Sequence, residues 1–149
     1  MEDCERLAEV ESLLGELAER VDGGAVLLVE GKRDLEALRL LGVEGSIILT
    51  SQEQLFVLAE RVAMNSSDVI LLSDWDERGD EVAKITEVYL RSNGVAPDCI
   101  LRRKLKELVK KDIKDVESLY VFIERLRKIC SPGMEPAHLN HNIIKHRGK

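Results

Sequence analysis

Residues 69–80 read Val-Ile-Leu-Leu-Ser-Asp-Trp-Asp-Glu-Arg-Gly-Asp. The run Val69–Leu72 is apolar without a break and too short for a helix, the pattern of a strand buried on both faces of a parallel sheet. It passes directly into Asp74 and Asp76, then Gly79 and Asp80, and helical periodicity follows from Glu77 to Arg91. The same order occurs earlier, where the apolar run Ala25–Val29 ends at Glu30-Gly31 and a short helix is expected over 34–41, with Asp34 near its start and Gly42 past its end. Between them lie a strand over 46–49 and a helix over 52–64 that Asn65-Ser66-Ser67 closes; ahead of them an amphipathic helix carries Leu7, Val10, Leu14, Leu17 and Val21 and stops at Asp22-Gly23-Gly24. Cys99-Ile100-Leu101 reads as one more short strand. This alternation implies right-handed crossovers and an α/β fold, a mostly parallel sheet of about four strands flanked by helices.

The chain has 149 residues, 44% of them apolar, which suits one compact domain over 1–130 with a core at 23–95. Its net charge of −6 conceals an asymmetry. Residues 1–100 hold nine Lys and Arg against 22 Asp and Glu, whereas residues 101–149 hold 13 against six. Two basic C-terminal helices are expected over 101–130, with Leu105 and Leu108 on one and Val116, Leu119, Ile123 and Leu126 on the other. The segment 131–149, with Pro132, Gly133 and Pro136, offers little to bury and is expected to be a mobile tail. No apolar stretch approaches the roughly 20 residues that a membrane span needs, and the polar start is unlike a signal peptide, so a cytoplasmic protein is expected. Cys4, Cys99 and Cys130 are odd in number and far apart, which reads as reduced, packing cysteines.

In an open parallel sheet, functional groups gather beyond the carboxyl ends of the strands. Glu30 ends the first strand and Asp74 follows the third; if those strands are neighbours, Glu30, Asp74 and Asp76 converge. Crowded carboxylates repel one another unless a cation offsets them, and hard oxygen ligands without nearby His or Cys select Mg²⁺ or Mn²⁺. Gly79 permits a tight turn, after which Asp80 or Glu81 stands in the first helical turn as a fourth acidic ligand, and two ions sharing Asp74 are expected.

These residues resemble the Toprim family. Val29-Glu30-Gly31-Lys32-Arg33-Asp34 is similar to its first motif, a strand ending in Glu-Gly, and Asp74-x-Asp76 with Gly79-Asp80 is similar to its second. Toprim domains occur in type IA and II topoisomerases, bacterial-type primases and several nucleases; the likeness covers about residues 23–95, and the whole length resembles small stand-alone Toprim proteins of archaea and some bacteria. The resemblance implies a Rossmann-like Toprim fold, Glu30 as general acid or base, and Asp74 and Asp76 as magnesium ligands. Asp80 stands where many relatives carry Glu.

A topoisomerase would need a tyrosine nucleophile, yet Tyr89 and Tyr120 both fall on apolar helical stripes. A complete replicative primase would need further modules. The remaining readings are magnesium-dependent phosphodiester hydrolysis on structured RNA or DNA, or a non-catalytic metal- and nucleic-acid-binding accessory module with a protein partner or a second copy. A receiver-like domain fits less well, because its acid pair commonly follows the first strand. Phosphate contacts are assigned to Lys32 and Arg33 beside the site, to the cluster Arg102, Arg103, Lys104 and Lys106, and to Lys110, Lys111 and Lys114. Trp75, the one Trp, stacks on a base or shields the loop.

Overall fold

The computed structural model describes residues 1–131; the expected tail at 132–149 lies outside the described residues. Three parallel strands, β1 (Val26–Val29), β2 (Ile47–Leu49) and β3 (Val69–Leu71), form a sheet in the order β2-β1-β3. Among the described residues six α-helices surround it: α1 (Asp3–Asp22), α2 (Lys32–Leu40), α3 (Leu55–Asn65), α4 (Glu77–Ser92), α5 (Ile100–Val109) and α6 (Leu119–Cys130). Because strand side chains alternate between faces, each strand feeds two cores. Leu27, Val29, Ile70 and Leu72 pack with α1, α2, α5 and α6, while Leu28, Val69 and Leu71 pack with α3 and α4.

The expected fourth strand is reduced to one bridge. Asp98 pairs in parallel with Ile70, accepting from Leu71 N at 3.0 Å and donating to Val69 O at 2.8 Å, but it goes no further. Its side chain accepts from Ile100 N at 2.7 Å, so the chain turns at once into α5, and Cys99–Leu101 belongs to that helix start and not to the sheet. The expected helix over 52–64 begins later, at Leu55, after a 3₁₀ turn at Thr50–Gln52.

The cysteine expectation is also corrected. Cys4 and Cys130 form a disulfide, with Cα atoms 5.6 Å apart across a separation of 126 residues; Cys99 is free and half-buried. Helices α1 and α6 pack antiparallel, which sets the start of one beside the end of the other. Buried Arg127 on α6 meets Glu11 on α1 at 2.7 Å and Glu124 at 2.8 Å, aligning the same seam. Among the described residues no helix is long and apolar enough to cross a membrane.

Candidate metal and phosphate site

The register fixes the geometry of the site. Val26 pairs with Val69 and Leu28 with Leu71, so continuing both strands sets Glu30 opposite Ser73 at the carboxyl edge. The contact follows: Glu30 Oε2 accepts from Asp74 N at 3.0 Å, while Glu30 O accepts from Ser51 N at 3.1 Å on the other side. Glu30 is therefore buried and pinned between both neighbouring strands. Its Oε1 is met at 3.0 Å by Arg78 Nη1 from the first turn of α4.

Asp74 is half-buried and accepts from Val116 N at 2.9 Å. Burial, with the charges of Asp34, Glu30 and Asp115 around it, pushes its carboxyl from 3.8 up to about 7, although the Val116 bond works the other way. Asp34, buried at the start of α2, accepts from Gly31 N at 3.0 Å and is likewise raised, first by burial and then by Glu30, Asp115 and Glu117. Asp76 caps α4, its Oδ1 accepting from Gly79 N at 2.7 Å. Gly79 has no room for a side chain: a Cβ there would stand 2.0 Å from Asp74 O. Ser73 Oγ donates to Gly79 O at 3.0 Å and closes the same turn.

The basic residues divide by position. Arg102 is a clamp for the loop, donating from Nε to Ser73 O at 2.9 Å and from Nη2 to Asp74 O at 2.5 Å and to Asp80 at 2.6 Å. Lys106 meets Asp80 at 3.2 Å. Burial works against the charge on Asp80, yet Arg102 and Lys106 hold its carboxyl below the usual range. Asp80 thus sits on the flank of the loop, occupied by two cations, while Glu81 is exposed on α4. Arg103 and Lys104 border a groove against Glu9, Ser12 and Leu13 of α1. Lys32 and Arg33 are exposed at the start of α2, with Arg33 3.7 Å from Glu117; Lys110, Lys111 and Lys114 are exposed on the α5–α6 loop.

Trp75 does not face solvent. It is 4% exposed, its Nε1 donates to Ile113 O at 2.8 Å and its backbone N to Lys114 O at 3.1 Å. The loop 110–118 thereby covers the 73–76 segment from above, a role invisible in the sequence because Val116 and Asp74 are 42 residues apart. Asp115 and the Val116 N–H were missed for that reason. Asp34, placed in sequence only as a helix start, had a signal: it follows Glu30 by four residues, across a helix N-terminus.

The donor chemistry suits a hard divalent cation, since the groups drawn together are carboxylates, and burial followed by their mutual repulsion raises Asp74. As placed, no three His, Cys, Asp or Glu side chains among the described residues stand close enough to enclose an ion. Arg78 holds one oxygen of Glu30 and the α4 cap holds one oxygen of Asp76.

No protein-family model matches the chain. It is 43% identical over 122 residues to a UPF0292 protein of Methanosarcina barkeri, covering 82% of this chain and 85% of that one. It is 40% identical over 129 residues to a UPF0292 protein of Thermococcus sibiricus, covering 85% and 97%. Among solved structures, a protein from Aquifex aeolicus superposes with a TM-score of 0.62 at 29% identity, over 72% of this chain and 94% of the other. Identity at this level across most of both chains is shared descent: the chain belongs to the UPF0292 family.

Proposed function

We propose that this protein is a Toprim-type, Mg²⁺- or Mn²⁺-dependent phosphodiester-processing protein, acting on nucleic acid by hydrolysis. One observation carries the reading: two adjacent parallel strands end in Glu30 and Asp74, joined by the 3.0 Å bond from Asp74 N to Glu30, with Asp74 raised to about 7 by burial and, after it, by the carboxylates around it. An edge that concentrates negative charge against burial is poised for a cation.

In this reading Asp74 and Asp76 hold the ion or ions, with Asp34 as a further acidic neighbour. The bound cation supplies charge stabilisation to a phosphoryl group and lowers the proton affinity of water. Glu30, fixed by two strands, is the group that moves a proton at Oε1 once Arg78 leaves it. Arg102 is a positioning residue: it orients the peptide groups of Ser73 and Asp74 and keeps Asp80 on the flank. The exposed Lys32, Arg33, Lys110, Lys111 and Lys114 offer sequence-independent phosphate contacts, and buried Trp75 leaves base stacking to other groups.

The test is cleavage of structured RNA, single-stranded DNA and duplex DNA with Mg²⁺ or Mn²⁺, comparing the wild type with Glu30→Gln and Asp74→Asn. Cleavage lost in both variants supports hydrolysis. Metal-dependent binding without cleavage replaces it with the accessory-module reading, which the Arg78–Glu30 pair favours. Binding and cleavage that ignore metal and both variants would overturn either form.

A further inference from the structure

We propose that Arg78 is a built-in counter-ion of the acidic edge, which a divalent cation must displace from Glu30 in order to bind. The inference rests on reading that edge as a cation site, and adds a residue that competes for it.

Arg78 stands in the first turn of α4, one residue after Glu77. A cation there opposes the positive end of the helix dipole, so the position is unfavourable unless a nearby anion offsets it. Glu30 is that anion, 3.0 Å away. The two partners differ sharply in setting: the Glu30 side chain is 10% exposed, whereas that of Arg78 is 77% exposed and reaches the edge through this single contact. Arg78 can therefore swing into water without opening the core or losing any other bond. Arg102 is its opposite, 12% exposed and tied by Ser73 O, Asp74 O and Asp80. Both oxygens of Glu30 are occupied, Oε2 by the Asp74 amide and Oε1 by Arg78, and only the second occupant is free to go. Departure of Arg78 exposes Oε1 beside Asp74 and Asp34, increasing the uncompensated negative charge that a divalent cation would meet.

The test is Mn²⁺ titration at fixed ionic strength, followed by calorimetry and by the emission of Trp75, on the wild type, Arg78→Gln and Arg33→Gln. Both substitutions remove one positive charge near the site, but Arg33 faces Glu117 and not Glu30. Loss of the competitor should tighten Mn²⁺ binding to Arg78→Gln about 5-fold, in the range of one exposed ion pair, while Arg33→Gln stays close to the wild type. Equal affinity of Arg78→Gln and wild type, or the same tightening in both variants, would overturn the competitor role and leave the metal site standing. Absence of Mn²⁺ binding by all three proteins would overturn both.

Discussion

Asp74 and Asp98 are both aspartates bonded to the β3 region, and the structure moves their acidities in opposite directions. Burial raises each. At Asp98 the effect is overcome by Arg20, which pairs with both Asp98 and Asp68 and leaves the Asp98 carboxyl below its usual range. At Asp74 the neighbours are Asp34, Glu30 and Asp115, and the carboxyl rises to about 7. The amino edge of the sheet and the α1–α6 seam match acids with bases, as Arg20–Asp98 and Arg127–Glu11 illustrate, and there the charges consolidate the fold. The carboxyl edge instead sets Asp34, Glu30, Asp74 and Asp115 near one another, with exposed Arg78 meeting Glu30 and with Arg102 and Lys106 held to the side by Asp80. Charge matching marks the regions that hold the molecule together, and charge crowding marks the place where a ligand would add stability.

The largest expected effect is on the seam. Closing a loop of this length with the Cys4–Cys130 bond restricts the unfolded chain, so Cys4→Ser should lower the stability of the oxidised protein by about 3–5 kcal/mol. Reductant should reproduce that loss in the wild type by urea denaturation; insensitivity to both would show that the seam does not depend on the bond. Gly79→Ala strikes the other region. Its Cβ would collide with Asp74 O, and the start of α4 must move, costing roughly 2–4 kcal/mol and shifting the Trp75 emission that Cys4→Ser leaves unchanged.

Removing charge from the crowded edge should do the reverse. Asp74 has a folded pKa near 7 against an ordinary 3.8, so its stability contribution is complete below about pH 4 and is lost as pH rises through 7. Asp74→Asn keeps an acceptor for Val116 N and removes the loss. It should be more stable than the wild type by about 1–2 kcal/mol at pH 8, after allowing for the half-exposed setting, and no more stable at pH 4. Mg²⁺ should raise the melting temperature of the wild type and not that of the variant. Wild-type stability that fails to decline between pH 5 and 8 without metal would remove the crowding argument.

The smallest effect has the opposite sign. The lowered Asp98 carboxyl contributes stability above its ordinary pKa, lost as pH falls through the depressed folded value. Asp98→Asn should therefore destabilise the protein at pH 7 by about 1 kcal/mol, the size of a charged hydrogen bond at a partly exposed position, with the difference fading in acid. A gain in stability at pH 7 would erase the contrast with Asp74.

Much of the architecture was legible because apolar runs such as Leu27–Val29 and Val69–Leu72, short and bounded by polar residues, suit a two-sided buried strand, and Glu30 and Asp74 stand at their ends. The fourth strand was misread for a local reason: the Asp98 side chain accepts from Ile100 N and turns the chain into α5, and a helix start after one bridge looks apolar in the same way as a strand. Basic residues of α5 were read as one phosphate-binding group, but helical rotation sends Arg102 and Lys106 towards Asp80 and Arg103 and Lys104 towards α1.

The sequence by itself determined the alternation of strands and helices and the chemistry at two strand ends, because periodicity and residue type are local properties. Tertiary structure alone decided the Cys4–Cys130 bond, the burial of Trp75 under the 110–118 loop, the clamp formed by Arg102, and the contact of Arg78 with Glu30. Each joins residues from 22 to 126 positions apart. Such contacts depend on how helices pack and how strands register, and a chain read one window at a time carries no trace of which distant carboxylate, carbonyl or thiol a side chain will meet.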